Sequence, residues 1–234
     1  METRQRIARR RILSAAVIDD PAHAVPLATA LLAGGLDVME VTFRNTHAAE
    51  CIRRIRADVP GMWVGAGTIL STAQLDEAME AGACFGVSPG FNPNVAREAV
   101  ARNFNFIPGV VTPGEMEQAM ELGCPWVKFF PAAAAGGVDF LKSISAPYLH
   151  TDLRIIPLGG IDQANMSDYL ALPIVSAIGG SWLSDRKLAA SHDWSAITDI
   201  TRKAVAAAMM PANGARRGQP INRNSSEIDV APNS

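Results

Sequence analysis

The chain has 234 residues, 48% of them hydrophobic and 19% charged, with a formal net charge of −2. That composition suits a globular protein and excludes a disordered chain; no apolar run approaches the roughly 18–20 residues that span a bilayer. Residues 1–11 carry five Arg and one Glu, and residues 211–234 three Arg against Glu227 and Asp229, so residues 12–210 hold −7, a balance that excludes nucleic acid as a partner because its binding rests on phosphate neutralisation.

The Arg-rich start reads as one solvated face of a short N-terminal helix rather than a binding arm or a targeting peptide. No apolar stretch of signal type follows it, which predicts a cytoplasmic protein. Strand-like runs then recur at 12–18, 37–43, 62–67, 83–87, 104–108, 126–130, 154–158 and 174–179. Helical patterns fall between and after them, at 22–33, 46–57, 72–81, 93–102, 113–122, 137–145, 163–170 and 194–209. Thr46, Ser71, Pro93 and Pro113 are start signals, and Gly34, Gly35, Gly82 and Gly123 stand where helices should stop. The final residues, 211–234, are almost all Pro, Gly, Asn, Ser, Ala and charge, and read as a flexible, disordered tail.

Strand, helix, strand order implies parallel pairing with right-handed crossovers. Eight such units predict an α/β fold, a (β/α)8 TIM barrel in a single domain over 1–210, with active residues at the C-terminal ends of the strands. A doubly wound open sheet would show a Gly-rich phosphate loop after its first strand; Asp19, Asp20 and Pro21 follow instead. Cys51, Cys84 and Cys124 lack any Cys-x-x-Cys pair and read as reduced thiols. His23, His47, His150 and His192 show no ligand spacing, so no metal is expected.

Charge placement marks the chemistry. There are four Lys against 17 Arg, and Lys128 alone of the four lies in an apolar strand, Trp126–Phe130. An ammonium there is costly to desolvate unless it is paired or its pKa is lowered, and a desolvated Lys is how an enzyme obtains an amine for Schiff-base chemistry. In the second strand, period-2 alternation puts Val38, Glu40, Thr42 and Arg44 on one face. The outer face of a barrel packs on helices, so Glu40, Thr42 and Arg44 should point inward. A Glu40–Arg44 pair would be either structural or functional, with Glu40 moving protons and Arg44 gripping a carboxylate. Gly159, Gly160, Gly179, Gly180 and Ser181 follow the seventh and eighth strands, where barrels hold phosphate on backbone N–H groups. Gly65–Thr68 offers a close backbone approach and a hydroxyl.

Seven segments occur in order: EVTFR (40–44), VGAGT (64–68), SPG (88–90), IPG (107–109), VKFFP (127–131), GGI (159–161) and GGSWL (179–183). Together they resemble the 2-keto-3-deoxy-6-phosphogluconate (KDPG) and 4-hydroxy-2-oxoglutarate (KHG) aldolases, over about residues 12–208. The resemblance implies a metal-independent class I aldolase without a cofactor, a homotrimer of (β/α)8 barrels cleaving KDPG to pyruvate and glyceraldehyde 3-phosphate. It implies that Lys128 is the Schiff-base lysine, Glu40 the general acid/base, Arg44 the pyruvate carboxylate ligand and Thr68 a further pyruvyl contact. Gly159, Gly160, Gly179, Gly180 and Ser181 would hold the phosphate. Leu158 stands where members often have Thr, which leaves the galactonate-derived epimer open, and Asn45 stands where Thr is common. The competing readings are cleavage of 4-hydroxy-2-oxoglutarate, which needs no phosphate site, and a barrel that binds a phosphorylated metabolite without catalysis.

Overall fold

The computed structural model describes residues 2–210; the expected tail, 211–234, lies outside the described residues. The strands are β1 (Ile12–Ala16), β2 (Val38–Thr42), β3 (Trp63–Gly67), β4 (Gly86–Val87), β5 (Phe106–Ile107), β6 (Gly109–Val110), β7 (Trp126–Phe129), β8 (Arg154–Pro157) and β9 (Ile178–Gly180). The helices are α1 (Glu2–Arg10), α2 (Ala24–Ala33), α3 (Ala48–Asp58), α4 (Thr72–Glu80), α5 (Pro93–Ala101), α6 (Pro113–Glu121), α7 (Gly137–Ser145), α8 (Met166–Leu170), α9 (Arg186–Ala190) and α10 (Trp194–Met209).

Every strand pair is parallel. One sheet runs β5-β4-β3-β2-β1-β9 and the other β6-β7-β8. The first seam between them is Pro108, the last residue of the strand expected at 104–108; it separates β5 from β6, which runs past that expected end, because proline has no N–H to give the ladder. The second seam is closed by bridges from Ile155 to Val175 and from Leu158 to Gly179. Eight staves therefore close into the expected (β/α)8 barrel. β2 is buried at all five positions: Met39 and Val41 face the helices, while Glu40 and Thr42 line the interior cavity.

Local signals explain most helix ends. Ser71 Oγ accepts from the Gln74 N–H, and the Gln74 side chain accepts from the Leu70 N–H. Thr112 and Glu115 form a reciprocal capping box ahead of Pro113. Gly35, Gly82 and Gly123 take positive φ angles of 93°, 84° and 83° just past helix ends, the conformation glycine adopts without strain.

Four expectations need correcting. Thr46 does not start α3; the Asn45 side chain accepts from the His47 N–H and delays the helix. The helix expected at 163–170 begins only at Met166, because the Asp162 carboxylate takes the N–H groups of Ala164 and Asn165 in a turn. Helix α9 had no expected counterpart. Finally, the Arg-rich face of α1 is not merely solvated: Arg6, Arg9 and Arg10 converge on the buried carboxylate of Asp37 at 3.3, 3.1 and 2.5 Å. Arg6 also lies 4.8 Å over the Trp63 ring, whose N–H donates to Thr3.

The three cysteines are free. Burial pushes the thiols of Cys51 and Cys124 up to about 11, and raises that of Cys84. No helix among the described residues is long and apolar enough to cross a membrane.

Candidate active site

Lys128 is the third residue of β7 and Glu40 the third of β2, and their inward-facing side chains meet inside the barrel. Lys128 Nζ stands 3.5 Å from Glu40 Oε1, with the two side chains 7% and 1% exposed. Glu40 Oε2 has no hydrogen-bond partner among the described residues. A buried ion pair recovers its desolvation cost only when its geometry is close and its remaining groups are satisfied. This one is long and half satisfied, so it serves stability poorly and leaves a buried carboxylate oxygen without a donor. Lys128 Nζ also lies 5.0 Å over the Phe130 ring, which walls it from water.

The neighbouring backbone is shaped around this pair. A Cβ on Gly67 would sit 3.0 Å from both Glu40 Cδ and Oε1, so a glycine here gives the carboxyl its room. Thr68 follows with φ of 60°, a left-handed conformation that a threonine adopts only under strain. Strain held at the mouth of a cavity marks a residue whose position matters more than its comfort. Thr42 Oγ1 donates to the Ala16 carbonyl at 3.2 Å, tying β2 to β1.

Glu40, Thr42, Arg44, Thr68 and Lys128 line one cavity of about 160 Å³. Ala15, Val17, Pro89, Phe130 and Leu158 supply its apolar walls, and Gly159, Gly180 and Ser181 complete it. Arg44 does not pair with Glu40 as the alternation suggested. It is exposed at the rim, and Glu40 takes Lys128 as its partner instead. A fixed acid, an amine and a free guanidinium around a small cavity can bind a carboxylate and move protons at an adjacent carbonyl.

The glycines divide between lining and support. Gly159 and Gly160 have φ of 95° and 74°, which presents the turn after β8 without steric cost. Gly160 is exposed beside Ala133, and Gly179 is buried against Leu158; neither lines the cavity. A Cβ on Gly180 would fall 1.6 Å from the Trp182 ring, so β9 ends flush on that indole. The Trp182 N–H is buried and unpartnered among the described residues. Sequence reasoning gave no role to Pro89, Phe130 and Val17. Pro89 and Phe130 lay within the SPG and VKFFP segments, while Val17, just past β1 in the strand expected at 12–18, carried no signal of its own. Among the described residues, no group of three or more His, Cys, Asp or Glu side chains gathers in one place.

A family model described as KDPG and KHG aldolase matches residues 3–200. The chain belongs to the KDPG and KHG aldolase family. The KHG/KDPG aldolase of Escherichia coli K12 is 45% identical over 188 residues, covering 80% of this chain and 87% of that protein. The 2-dehydro-3-deoxy-phosphogluconate aldolase of Haemophilus influenzae is 41% identical over 195 residues, covering 83% and 91%. Among solved structures, the KDPG aldolase of Legionella pneumophila, with pyruvate captured as a covalent carbinolamine, superposes with a TM-score of 0.82. It is 35% identical and covers 86% of this chain and 97% of its own. The Zymomonas mobilis enzyme gives 0.81 at 39% identity, covering 88% and 96%. For a KDPG and KHG aldolase, a buried amine beside a half-satisfied carboxylate is the arrangement that imine chemistry requires.

Proposed function

We propose that this protein is a class I aldolase that cleaves KDPG to pyruvate and glyceraldehyde 3-phosphate. The observation that carries the reading is the buried Lys128–Glu40 pair, 3.5 Å apart, with Glu40 Oε2 buried and lacking a hydrogen-bond partner among the described residues. Arg44 grips the carboxylate of the 2-oxo acid, with the Thr68 hydroxyl beside it. Lys128 first passes its proton to Glu40; the neutral amine then attacks C2, and a carbon–nitrogen bond forms as the carbonyl oxygen takes the proton released from that nitrogen. Glu40 donates the second proton that lets this oxygen leave as water, giving the iminium.

The iminium is the electron sink. When the C3–C4 bond breaks, its electron pair moves into the C2–N system, and Glu40 accepts the proton of the C4 hydroxyl. The aldehyde leaves, C3 is protonated, and water hydrolyses the iminium to release pyruvate and restore Lys128. Gly159, Gly180 and Ser181, the members of the two glycine turns that line the cavity, hold the phosphate end of the substrate by backbone N–H groups and one hydroxyl; Gly160 and Gly179 shape those turns from behind. Residues 1–210 act as one domain, in a cytoplasmic homotrimer. Light scattering at three times the 24.8 kDa chain mass tests the trimer.

Borohydride reduction in the presence of pyruvate, followed by peptide mass mapping, tests the chemistry. A reduced pyruvyl adduct on Lys128 alone is expected. Folded protein that forms no adduct would refute the imine mechanism and favour a non-catalytic binding barrel.

A further inference from the structure

The loops after β1 and β9 meet across the catalytic end of the barrel. The two strands are neighbours, with Ser14 opposite Gly180. One chain segment continues to Asp19, and the other passes Ser181 to reach Arg186. Ser184 Oγ, in the turn between Ser181 and Arg186, donates to the Ala15 carbonyl at 3.0 Å and pins that turn onto β1. Arg186 then reaches back: its Nε and Nη2 both donate to Asp19 Oδ2, at 3.0 and 2.5 Å. A second cavity of about 90 Å³ lies beneath this pair, and Val17 is a wall of both it and the catalytic cavity.

Charge is the reason to look here. Among the described residues, the only cationic side chains lining the catalytic cavity are Lys128 and Arg44, and the aldolase reading commits both to the pyruvyl end. The phosphate end is lined by glycine backbone and Ser181, which leaves a dianion without a side-chain counter-charge. Arg186 stands nearest in the chain on the β9 side. Its present partner holds it weakly: the side chains are 62% and 59% exposed, and exposed ion pairs add little because water screens them. Both of its bonds go to one carboxylate oxygen, so the guanidinium fork is not used in the two-oxygen mode that binds carboxylate or phosphate most strongly.

We infer that Arg186 is the side-chain cation for the substrate's phosphate, exchanging Asp19 for the phosphate when substrate enters. This rests on the aldolase reading and extends it to substrate choice. Asp19 is then a competitor that keeps the rim neutral while the site is empty. The exchange makes and breaks only hydrogen bonds and ion pairs, so no covalent bond changes.

Two measurements separate this inference from the aldolase reading. Calorimetric titration with inorganic phosphate reads the phosphate end without turnover. Arg186→Gln should weaken that affinity about tenfold, the scale of losing one charge-assisted bidentate contact, and Asp19→Asn should strengthen it. In steady-state kinetics, Arg186→Gln should raise KM for KDPG by a similar factor and leave KM for 4-hydroxy-2-oxoglutarate unchanged. Lys187→Gln, the neighbouring cation, should change neither. Folded Arg186→Gln protein with wild-type phosphate affinity, or wild-type protein that binds no phosphate, would overturn the inference. So would equal KM changes for both substrates. Loss of pyruvate trapping in the wild type would instead strike the aldolase reading.

Discussion

Two buried carboxylates, Asp37 just ahead of strand β2 and Glu40 within it, face opposite ends of the barrel and live in different surroundings. Asp37, just ahead of Val38, receives Arg6, Arg9 and Arg10 from α1. Glu40, three residues on, has one ammonium at 3.5 Å and an oxygen with no partner among the described residues. The first is saturated with donors and fastens a helix across the N-terminal ends of the strands. The second is left short of donors, in a cavity that opens at the other end. The contrast teaches that a buried charge is read by its unsatisfied valence: saturation marks a clamp and deficit marks a reaction site.

The largest effect should come from Lys128→Met, which keeps much of the packing and removes the amine. Turnover and the borohydride adduct should both vanish, while circular dichroism stays that of the folded protein. Glu40→Gln should keep some pyruvate binding and lose about 10²–10⁴-fold in kcat, the usual size of a general acid/base contribution. Full turnover in that variant would make Glu40 another clamp and dissolve the contrast.

Gly67→Ala should come next. Its Cβ would crowd the Glu40 carboxyl at 3.0 Å, and a small displacement of a proton-transfer group should lower kcat by about tenfold to a hundredfold. Thermal stability should change much less than rate, because only the side-chain end of Glu40 has to move.

The smallest effect on rate belongs to Asp37→Asn. It should leave kcat unaltered and cost about 1–2 kcal/mol in urea unfolding, the low end for charged hydrogen bonds because the arginines are partly exposed. The pH dependence has a definite sign. Burial alone would raise the Asp37 carboxyl, but the Arg10 hydrogen bond and the charges of Arg10 and Arg9 outweigh it and hold it below its ordinary value. A depressed carboxylate stabilises above the unfolded value, and that contribution is lost as pH falls through the folded one. Asp37→Asn should therefore flatten the acid limb of the stability profile, measured as urea midpoint against pH.

The active end was the legible end of the sequence. Lys128 stood out because a charge in an apolar strand breaks a local pattern, and Glu40 because alternation places it inside. Both signals need only neighbours in the chain. The clamp was not legible, since Arg6 and Asp37 are 31 residues apart and no periodicity links them. For the same reason the partner of Glu40 was not legible: alternation offers Arg44, close in sequence, as a structural partner, whereas Lys128, 88 residues away, is the one at 3.5 Å. The break at Pro108 could have been read from its missing N–H. The role of Gly67 could not, because the carboxyl that needs the room comes from an adjacent strand.

The indole beneath Gly180 has an optical consequence. With no Cβ possible there, Trp182 lies directly against the backbone of the turn that leads to Ser181. Its buried N–H has no acceptor among the described residues, so its emission depends on how that turn sits above it. None of the four tryptophans lines the catalytic cavity, but Trp182 directly follows the lining residues Gly180 and Ser181. The molecule thus carries its own fluorophore beside the proposed phosphate end, and occupancy there should shift its emission without a label.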